Sequence, residues 1–319
     1  MNGHGADKGA TAVDLTVLVM TYNHCRFIRQ ALDSVLAQRT HFPFEILISE
    51  DRSTDGTREI VEEYAARHPD RIRLLLSASN LRSNAVVSRG IAAARGTYLA
   101  FLDGDDYWTD SQKLQKQLDF LHSHPESAMC FHNARVQYED GSRPSYLWTP
   151  EHQPRFSKFE DIWMGNFIPM CSTMFRREAI ADVPAWYESL FPITDWPLHI
   201  LAARHGSLGY LPEAMGVYRQ HAGALYSVHS EQQKQLKTLE FYRTMNANLG
   251  YRYDRLIRGA TSRYFLEWAA EHERRGEIAA AKSCYRTCLG ARPLSSYLSF
   301  WQLLKVGTRL YVTGPRVRT

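Results

Sequence analysis

The feature that most constrains this fold is an alternation of short apolar runs and longer amphipathic segments, which begins near residue 14. The apolar runs are too short for helices, whereas the apolar residues of the intervening segments recur at helical spacing. These patterns predict strands at residues 15–20, 45–49, 72–76 and 97–102, and helices at residues 27–36, 57–67 and 86–95. Because strands that alternate with helices form parallel sheets covered by helices, the sequence predicts an α/β fold.

The alternation ends after residue 108, where mixed elements follow. The patterns predict a charged helix, a strand-like aromatic region, a short helix, a strand, a helix and two short strands, at residues 113–122, 128–148, 159–164, 172–176, 197–205, 208–211 and 216–219. We therefore expect an α+β half to follow the α/β half.

From residue 230 onward the sequence is almost entirely helical, and residues 264–292 contain two helices joined around Gly276. This pair resembles a single tetratricopeptide unit, but stable repeat arrays need about three repeats. The domain prediction is a disordered N-terminus at residues 1–13, one domain at residues 14–228 divided after residue 108, and an all-helical C-terminal appendage at residues 229–319.

The composition is that of an ordinary globular protein, with 44% hydrophobic residues and a net charge of +4 over 319 residues. No basic face interleaved with aromatic residues precedes the C-terminal tail, so nucleic acid is not an expected partner. Residues 305–318 contain basic residues and no acidic residue. This stretch could contact an anionic membrane surface, although a solvated terminus is the simpler explanation.

Cysteine usage and the N-terminal sequence bear on the compartment. Five cysteines occur at positions 25, 130, 171, 284 and 288 without paired short spacings, so neither a disulfide framework nor a zinc site is expected. Residues 1–13 contain no apolar signal region, and no apolar run reaches the roughly 18 residues that a membrane helix needs. We expect a cytoplasmic protein that could lie at the periphery of the inner membrane.

Polar residues follow three of the predicted strands. Thr21 and Asn23 follow the first strand, Asp51 follows the second, and the run Asp103-Gly104-Asp105-Asp106 follows the fourth. In an open parallel sheet, ligands bind at the carboxyl ends of the strands, near the point where the strand order reverses. We therefore expect the three groups to converge on one binding site.

The acidic run is typical of a divalent-cation site. Neither G-x-G-x-x-G nor G-x-x-x-x-G-K-[ST] is present, so a bound diphosphate would need another source of positive charge. Asp103 and Asp105 could hold Mg²⁺ or Mn²⁺, since adjacent carboxylates repel each other unless a cation joins them. A calcium-like loop or a helix N-cap, with Asp110 and Ser111 capping the next helix, is the structural alternative.

Three segments in order resemble the motifs of glycosyltransferase family 2: residues 17–23 (Val-Leu-Val-Met-Thr-Tyr-Asn), 48–57 (Ile-Ser-Glu-Asp-Arg-Ser-Thr-Asp-Gly-Thr) and 101–108 (Phe-Leu-Asp-Gly-Asp-Asp-Tyr-Trp). The resemblance covers roughly residues 14–225. It implies a GT-A fold, in which a Rossmann-like, mostly parallel sheet is flanked by helices. Residues 14–108 would form the nucleotide-binding half of a catalytic domain, and residues 109–228 the acceptor-binding half.

The same resemblance implies an inverting, metal-dependent transfer from a UDP-, GDP- or dTDP-sugar. The Gln-x-x-Arg-Trp motif and the membrane helices of processive polymerases are absent, so transfer of a single sugar is expected. Two departures from the family pattern blur which nucleotide is bound. Ser-Glu-Asp-Arg-Ser at residues 49–53 replaces the usual Asn-Asp-Gly-Ser, and Arg89 stands where many members have Asn.

The resemblance implies a role in donor binding for each polar group at the strand ends. Asp51 would hydrogen-bond the nucleotide base, and Thr21 and Asn23 would line the nucleotide pocket, although they could equally form a polar turn that caps the first helix. Asp103 would lie against the ribose on the metal side, and Asp105 would bind the Mn²⁺ or Mg²⁺ that bridges the diphosphate.

An inverting transfer needs a general base that deprotonates the acceptor hydroxyl. Residues 193–196 (Ile-Thr-Asp-Trp) resemble the family's Glu/Thr-Asp-Trp segment, which makes Asp195 the expected base, although an aspartate at a helix start is usually a cap. Trp196 would form a wall of the acceptor or sugar pocket, with core packing as the alternative. Asp106 and Trp108 are further candidates for that pocket.

Residues 218–221 (Tyr-Arg-Gln-His) resemble the family's closing segment, where a histidine or arginine approaches the metal or the diphosphate. His221 would complete the metal coordination, and Arg219 would hold the donor phosphate through a bidentate contact. His221 could instead be an ordinary surface residue, but it ranks above Arg219 as a metal-side residue.

Two alternative functions remain. A sugar-nucleotide nucleotidyltransferase would normally have a Gly-rich loop bearing Arg and Lys, and residues 21–25 contain neither glycine nor lysine. A catalytically inactive sugar-nucleotide-binding module could act through its helical tail. A metal-dependent phosphatase fits less well, because no complete D-x-D-x-T/V motif is present. The sequence does not distinguish a saccharide, a lipid-linked saccharide or a protein side chain as the acceptor, and it leaves the oligomeric state open.

Overall fold

The computed structural model describes residues 13–225, 228–291 and 298–313. The predicted disordered segment, residues 1–13, lies outside the described residues except for Val13. The described residues form two compact units. The first, which we call the α/β unit, comprises the chain up to Lys158 and Phe167–His229. The second, the helical unit, comprises Phe159–Asn166 and the chain from Ser230.

The α/β unit is built on one sheet, in which ten strands are described. The strands are β1 (Leu15–Thr21), β2 (Phe44–Glu50), β3 (Ile72–Leu76), β4 (Tyr98–Asp103), β5 (Tyr107–Trp108), β6 (Ser127–Tyr138), β7 (Tyr146–Leu147), β8 (Phe156–Ser157), β9 (Thr173–Arg176) and β10 (Ser207–Gln220). The helices of this unit are α1 (Ile28–Leu36), α2 (Thr57–Arg67), α3 (Ala85–Ala93), α4 (Lys113–Ser123) and α6 (Asp195–Ala203), and α5 (Phe159–Ile162) belongs to the helical unit.

The strand order along the sheet is β3-β2-β1-β4-β9-β6-β10-β5. β1 pairs in parallel with β2 and β4, and β2 pairs in parallel with β3. The short strand β9 lies antiparallel between β4 and β6, and β10 is parallel to β6. The predicted α/β fold, with a mostly parallel central sheet flanked by helices, is confirmed. The strand order reverses at β1, which is where ligands are expected in an open sheet.

The apolar pattern of β1 explains why helices cover both faces of the sheet. Leu15, Val17 and Val19 pack in one core cluster with the apolar residues of α1. Leu18 points to the opposite face, where a Cβ added at Gly90 of α3 would lie 2.6 Å from the Leu18 side chain. Glycine at position 90 therefore lets α3 approach the sheet closely. This packing fixes the carboxyl end of β1, from which the site begins.

β10 corrects one prediction. The two short strands expected at residues 208–211 and 216–219 form one strand, Ser207–Gln220, along β6. Register shifts between Leu211 and Ala214 and between Ala214 and Gly216 interrupt the pairing, so the apolar alternation breaks at exposed residues and the sequence pattern divides in two. Beyond these bulges, β10 continues along β6 to Gln220.

The helical unit contains α7 (Glu231–Asn248), α8 (Asp254–Arg274), α9 (Ile278–Gly290), α10 (Phe300–Thr308) and a π-helical turn (Arg309–Thr313), and the predicted helical appendage is confirmed. Ser230 and Gln233 form a reciprocal capping box at the start of α7. Among the described helices, none is long and apolar enough to cross a membrane.

The segment 159–166 departs from the predicted domain boundaries, because it clusters with the C-terminal helices although it lies within the predicted domain of residues 14–228. Its helix α5 ends at Ile162, two residues before the predicted end. Tyr242 of α7 donates a hydrogen bond of 3.0 Å to the Trp163 carbonyl, and the Trp163 ring stacks against Tyr242 and Phe241. Aromatic packing thus draws this segment into the core of the helical unit.

A group of titratable side chains in the helical unit, Glu231, His272 and Glu277, is compact enough to hold a cation. Each already has a protein partner: His272 Nδ1 lies 2.5 Å from Glu277 Oε2, and Arg275 Nη1 donates to both Glu231 oxygens at 2.9 Å. The Arg275 guanidinium would also repel a cation. We therefore interpret this group as a structural network between helices.

Candidate active site

The site begins where β1 and β4 end side by side. Met20 of β1 pairs with Asp103 of β4, and the Gly104 amide donates a hydrogen bond of 2.8 Å to the Met20 carbonyl. A Cβ added at Gly104 would lie 2.6 Å from Thr21 Oγ1 and 2.9 Å from His24 Nδ1. Only glycine fits between the acidic run and the loop after β1, so the two are held in close contact.

Two histidines approach the same carboxylate oxygen of Asp105. His221 Nε2 lies 3.0 Å from Asp105 Oδ2, and His24 Nε2 lies 3.6 Å from it. The two imidazole rings meet edge to face, with centroids 6.4 Å apart. All three side chains are largely buried. The structure thus brings His221 to Asp105, as the sequence predicts, and adds His24.

His24 was not predicted as a site residue. It lies just beyond the motif that ends at Asn23, and no sequence pattern distinguishes it from an ordinary residue of the loop before α1. The position of His24, just after β1, could nonetheless have indicated that it belongs to the site. The carboxyl end of β1 was already expected to face the site, and Thr21 Oγ1 lies 3.3 Å from His24 Nδ1. Titratable residues immediately after such a strand therefore merit the same attention as those within the motif.

The carboxylates of the acidic run perturb one another. Burial, together with the nearby charges of Asp105 and Asp195, raises the pKa of Asp103 well above its ordinary value. Burial, Asp105 and Asp103 raise the pKa of Asp106 in the same way. Burial alone would also raise the pKa of Asp105, but His24 and His221 outweigh it and hold that pKa below its usual range. The site has an excess of negative charge that a bound cation would relieve.

The donor atoms around Asp105 fit a divalent cation. The Nε2 atoms of His221 and His24 lie 3.0 and 3.6 Å from Asp105 Oδ2, and the charge of Asp105 contributes to the raised pKa of Asp103. Mg²⁺ prefers oxygen ligands, whereas Mn²⁺ also accepts imidazole nitrogen. Asp105 and His221, with support from His24 and Asp103, are therefore the residues able to hold Mn²⁺ or Mg²⁺.

Asp195 reaches this site from a distant part of the chain. It is the first residue of α6, and its Oδ1 accepts a hydrogen bond of 2.7 Å from the Trp196 amide. Its carboxylate is near enough to contribute to the raised pKa of Asp103 and to that of Tyr218 on β10. Trp196 is buried. The predicted base and the acidic run thus share one region of the α/β unit, and Tyr218 joins them as a residue that was not predicted.

Arg219 departs from its expected role as a phosphate ligand. Its guanidinium donates to the Asp105 carbonyl at 3.0 Å and to Gln30 Oε1, and its backbone amide donates to Asp106 Oδ1 at 2.8 Å. Aromatic rings cover the guanidinium, and the side chain is only 3% exposed. Arg219 therefore clamps the backbone of the acidic run. A bidentate phosphate contact would require these protein contacts to break.

Asp106 and Trp108 are also placed differently from the expectation that they line an acceptor pocket. Both are buried. The Trp108 indole N–H donates to the Cys171 carbonyl at 2.8 Å, and the Lys113 ammonium lies 3.9 Å from the centre of its ring. Trp108 packs in the main core cluster, so it supports the acidic run from the side of the hydrophobic core.

Lys113 itself is fully buried, and its Nζ has no hydrogen-bond partner among the described residues. Burial is the main cause that lowers its pKa to about 7 from the usual 10.5. The Lys113 amine, with a pKa of about 7, is therefore only partly protonated near neutral pH.

Asp51 directly follows β2 and is buried. Its Oδ1 accepts hydrogen bonds from Ser77 Oγ at 2.9 Å and from the Leu81 amide at 3.0 Å. Arg89 fixes the ends of β2 and β3 by donating to Ser49 Oγ at 3.0 Å and to the carbonyls of Glu50 and Leu75 at 3.0 and 3.1 Å. The unusual arginine at position 89 thus stiffens the frame that carries Asp51.

Asn23 ties the loop after β1 to the loop after β2. It has a left-handed backbone, with φ of 56°, and its Oδ1 accepts a hydrogen bond of 2.9 Å from the Thr54 amide. Its own amide donates to Ser53 Oγ at 2.9 Å. Asn23 is exposed, whereas Thr21 is buried against Gly104. The structure therefore places Asn23 on the accessible side of the site and Thr21 beneath it.

Comparisons with known proteins agree with this architecture. An uncharacterized protein of Mycobacterium tuberculosis is 42% identical over 222 residues, which are 69% of this chain and 63% of the relative. The alignment thus covers less than two thirds of that relative's length. A crystal structure of S. aureus TarS 1–349 in complex with UDP-GlcNAc superposes with a TM-score of 0.61 at 20% identity, covering 86% of this chain and 82% of that TarS fragment.

The mannosyltransferase PcManGT from Pyrobaculum calidifontis, in complex with GDP-Man and Mn²⁺, gives a TM-score of 0.51 at 16% identity, covering 93% of this chain and 79% of that one. These two structural matches show the GT-A fold. The model of the family described as "Glycosyl transferase family 2" matches residues 16–183, which is more than half of the chain. The family match, the strand order and the polar residues at the ends of β1, β2 and β4 agree, and this chain belongs to glycosyl transferase family 2.

Proposed function

We propose that this protein is an inverting, metal-dependent glycosyltransferase that moves a single sugar from a nucleotide-sugar donor to an acceptor hydroxyl. The observation that carries this proposal is the meeting of three distant segments. Asp105 follows β4, His221 follows β10, and Asp195 begins α6, yet His221 contacts Asp105 and Asp195 perturbs Asp103. Asp105 and His221 would form the cation site, and Asp195 would be the carboxylate base beside it.

The donor nucleotide would bind across the ends of β1, β2 and β4. The Asp51 carboxylate is held by Ser77 and Leu81, which leaves lone pairs able to accept a hydrogen bond from the base. Asn23 offers the accessible polar group of the β1 loop, and Asp103 would face the ribose. TarS binds UDP-GlcNAc and PcManGT binds GDP-Man, which supports a UDP- or GDP-sugar as the donor class.

The cation would be held by Asp105 and His221, with His24 able to join them. When bound, it would supply positive charge that neutralises the diphosphate leaving group. The presence of Mn²⁺ in the PcManGT complex supports a divalent ion of this kind. Because imidazole favours Mn²⁺ over Mg²⁺, we propose Mn²⁺ as the better cofactor.

Asp195 would accept the proton from the acceptor hydroxyl as its oxygen attacks the anomeric carbon. Attack on the side opposite the leaving diphosphate inverts the configuration, which requires a base that is separate from the metal ligands. The Trp196 amide holds one Asp195 oxygen at 2.7 Å and orients the carboxylate. The edge-to-face pair of Trp148 and Tyr218, with centroids 5.3 Å apart, offers an aromatic wall for a saccharide or lipid-linked acceptor.

Donor binding and transfer test this proposal separately. The protein is incubated with UDP-, GDP- and dTDP-sugars with and without Mn²⁺, and donor binding is measured by calorimetry and nucleotide release by chromatography. One donor should bind and be slowly hydrolysed in a Mn²⁺-dependent manner, and Asp105→Ala should lose both. Failure of every donor to bind in the presence of Mn²⁺ would contradict the proposal.

The base is tested with Asp195→Asn, which should retain donor affinity within about twofold but lose transfer by a factor of 10² or more. Asp182→Asn, a change at an exposed aspartate of the same unit, is the matched control and should behave as the wild type. Near-normal transfer by Asp195→Asn would refute its role as the base.

A further inference from the structure

One face of α10 and of the π-helical turn after it is apolar and exposed. Trp301 is 74% exposed and Val312 is 78% exposed, and Phe300, Leu304 and Tyr311 are each about half exposed. The opposite side of the same segment packs into the core of the helical unit through Leu303, Val306 and Leu310. The segment therefore has two apolar sides, and only one of them is explained by packing within this unit. We call the exposed side the α10 face.

The positions of these residues on the helix show that they form one surface. At about 100° per residue, Phe300 and Leu304 of α10 project within one narrow sector and Trp301 projects beside it, and Tyr311 and Val312 extend the exposed apolar residues into the π-helical turn. The buried residues Leu303 and Val306 point the other way. Exposed apolar residues that lie singly on a surface need no explanation, but a contiguous group of five marks an interaction site.

The chain segment that carries the α10 face is rich in positive charge, and the acidic residues beside it come from α8: Glu273 pairs with Arg309 at 2.6 Å, and Glu267 lines a groove with Lys305. Residues 278–319 contain seven basic residues and no acidic residue, although the whole chain has a net charge of only +4. The preceding residues are therefore net negative, and positive charge is concentrated in the C-terminal region. Lys305 is exposed on α10, and Lys282 of α9 lies 5.0 Å from the Tyr311 ring centre. Cations thus border the apolar face.

We propose that the α10 face docks on an anionic phospholipid bilayer, with its aromatic and aliphatic side chains in the interfacial layer and its lysines against the headgroups. Tryptophan, phenylalanine and leucine on one face, flanked by lysine and arginine, are the composition of helices that lie in a membrane interface. α10 has nine residues, far fewer than the roughly 20 that span a bilayer, so it would lie along the surface.

The excess of basic residues in positions 278–319, which contain no acidic residue, favours this occupant over a protein. Protein interfaces are depleted in lysine at their cores, and a partner protein would need a complementary acidic patch. A bilayer with anionic headgroups supplies an acyl boundary for the apolar residues and negative charge for the lysines at the same time, at about 1 kcal/mol per basic residue near the surface. The proposal does not depend on the enzymatic activity proposed above.

Vesicle sedimentation with the full chain tests whether the α10 face docks on an anionic bilayer. Vesicles of phosphatidylcholine alone and vesicles of equal parts phosphatidylcholine and phosphatidylglycerol are compared at about 0.1 M and about 1 M salt, where the Debye lengths are about 10 and 3 Å. The protein should sediment with the anionic vesicles at low salt and less with the neutral ones. Brominated phospholipids should quench its fluorescence, and Trp301→Phe should bind equally well but lose much of that quenching.

The variants identify the surface. Trp301→Ser combined with Leu304→Ser should weaken partitioning at least about tenfold, since each ~1.4 kcal/mol lost is a factor of ten. Lys305→Glu should weaken it several-fold on anionic vesicles only. Leu236→Ser, at a residue of α7 that is 60% exposed, is the matched control and should have no effect.

Three outcomes would overturn the proposal. The first is a wild-type protein that stays in solution with anionic vesicles at low salt. The second is equal loss of binding in the Leu236 control and the α10 variants. The third is a stable dimer that dissociates in the Trp301→Ser, Leu304→Ser variant, because it would assign the face to a second copy of the chain. Lys305→Glu keeps the test valid even if the double variant does not fold.

Discussion

Replacement of Lys113 by methionine is expected to stabilise the protein. The Lys113 side chain is fully buried, its Nζ has no hydrogen-bond partner in the described part of the chain, and its pKa falls to about 7 from an ordinary 10.5. Methionine has a similar length and no charge to desolvate. Replacement of a buried ion pair by apolar residues of similar volume is often neutral or stabilising by about 1–4 kcal/mol, and within the ranges that the structure describes Lys113 has no paired carboxylate whose charge the change would leave behind.

The size of the effect follows from the pKa. At about 1.36 kcal/mol per pH unit, the shift from 10.5 to about 7 sets an upper limit of about 5 kcal/mol for the cost of burying this ammonium group. The contact with the Trp108 ring, at 3.9 Å, offsets about 0.5–2 kcal/mol of that cost and is lost in the variant. We therefore expect Lys113→Met to raise the free energy of unfolding by about 2–4 kcal/mol at pH 6.5.

The pH dependence gives the sharper test. Between pH 7 and 10.5 the unfolded chain holds the Lys113 proton and the folded chain does not, so the stability of the wild type rises with pH relative to the variant. The advantage of Lys113→Met should thus be largest below pH 7 and shrink toward pH 9 and above. Urea unfolding followed by fluorescence at pH 6.5, 8 and 9 measures this difference directly.

Lys116→Met is the matched control on the same helix, because Lys116 is partly exposed and pairs with Asp110 at 2.9 Å. It should give no stabilisation and no comparable dependence on pH. If Lys113→Met were destabilising at pH 6.5, or if its effect did not change with pH, the reasoning from a desolvated, partnerless amine would be refuted.

Three further changes probe the site and its frame. Gly104→Ala should weaken Mn²⁺-dependent donor binding at least about tenfold in calorimetry, since its Cβ would lie 2.6 Å from Thr21 Oγ1, and unchanged affinity would contradict that close packing. His221→Ala should lower Mn²⁺ affinity more than His24→Ala, because His221 is closer to Asp105, and equal or absent effects in a Mn²⁺ titration would argue against this ligand set. Glu45→Gln should cost about 1–3 kcal/mol at pH 7, because Arg73 and Thr16 hold the Glu45 carboxylate, whose pKa is lowered despite its burial. The penalty should fade in urea unfolding as the pH drops below about 4.5, where the unfolded wild type takes up the proton first, and a penalty that persists at pH 3 would refute it.

The strands and helices of the first half could be predicted because their cores are continuous apolar runs. β1 is buried along its whole length, and the predicted strand at residues 15–20 differs from the observed one by a single residue. Parallel pairing in turn brings Met20 beside Asp103, so the convergence of the polar ends follows from the topology alone.

The second half was less predictable because its structure depends on long-range pairing. Nothing local indicates that β9, a strand of four residues, inserts antiparallel between β4 and β6, or that α5 packs with distant helices. The role of Arg219 was likewise unpredictable from the sequence, because it depends on contacts with distant residues. An arginine after a strand has the chemistry of a phosphate ligand, and only the folded chain shows that Gln30 and the Asp105 carbonyl already occupy its guanidinium.

The contacts of Arg219 with the acidic run also bear on when, during synthesis and folding, the proposed cation site becomes complete. The acidic run and the β1 loop that packs on it are synthesised early, but Arg219, which binds Asp105 and Asp106, comes from β10, more than a hundred residues later. A fragment that ends at residue 183, where the family match ends, would contain Asp105 and lack Asp195, Arg219 and His221. Because contacts of such high sequence separation form slowly, a growing chain would carry the acidic run without its Arg219 and His221 contacts until β10 is in place. Binding of the proposed cation through Asp105 and His221 would thus require the chain to be synthesised and folded through β10.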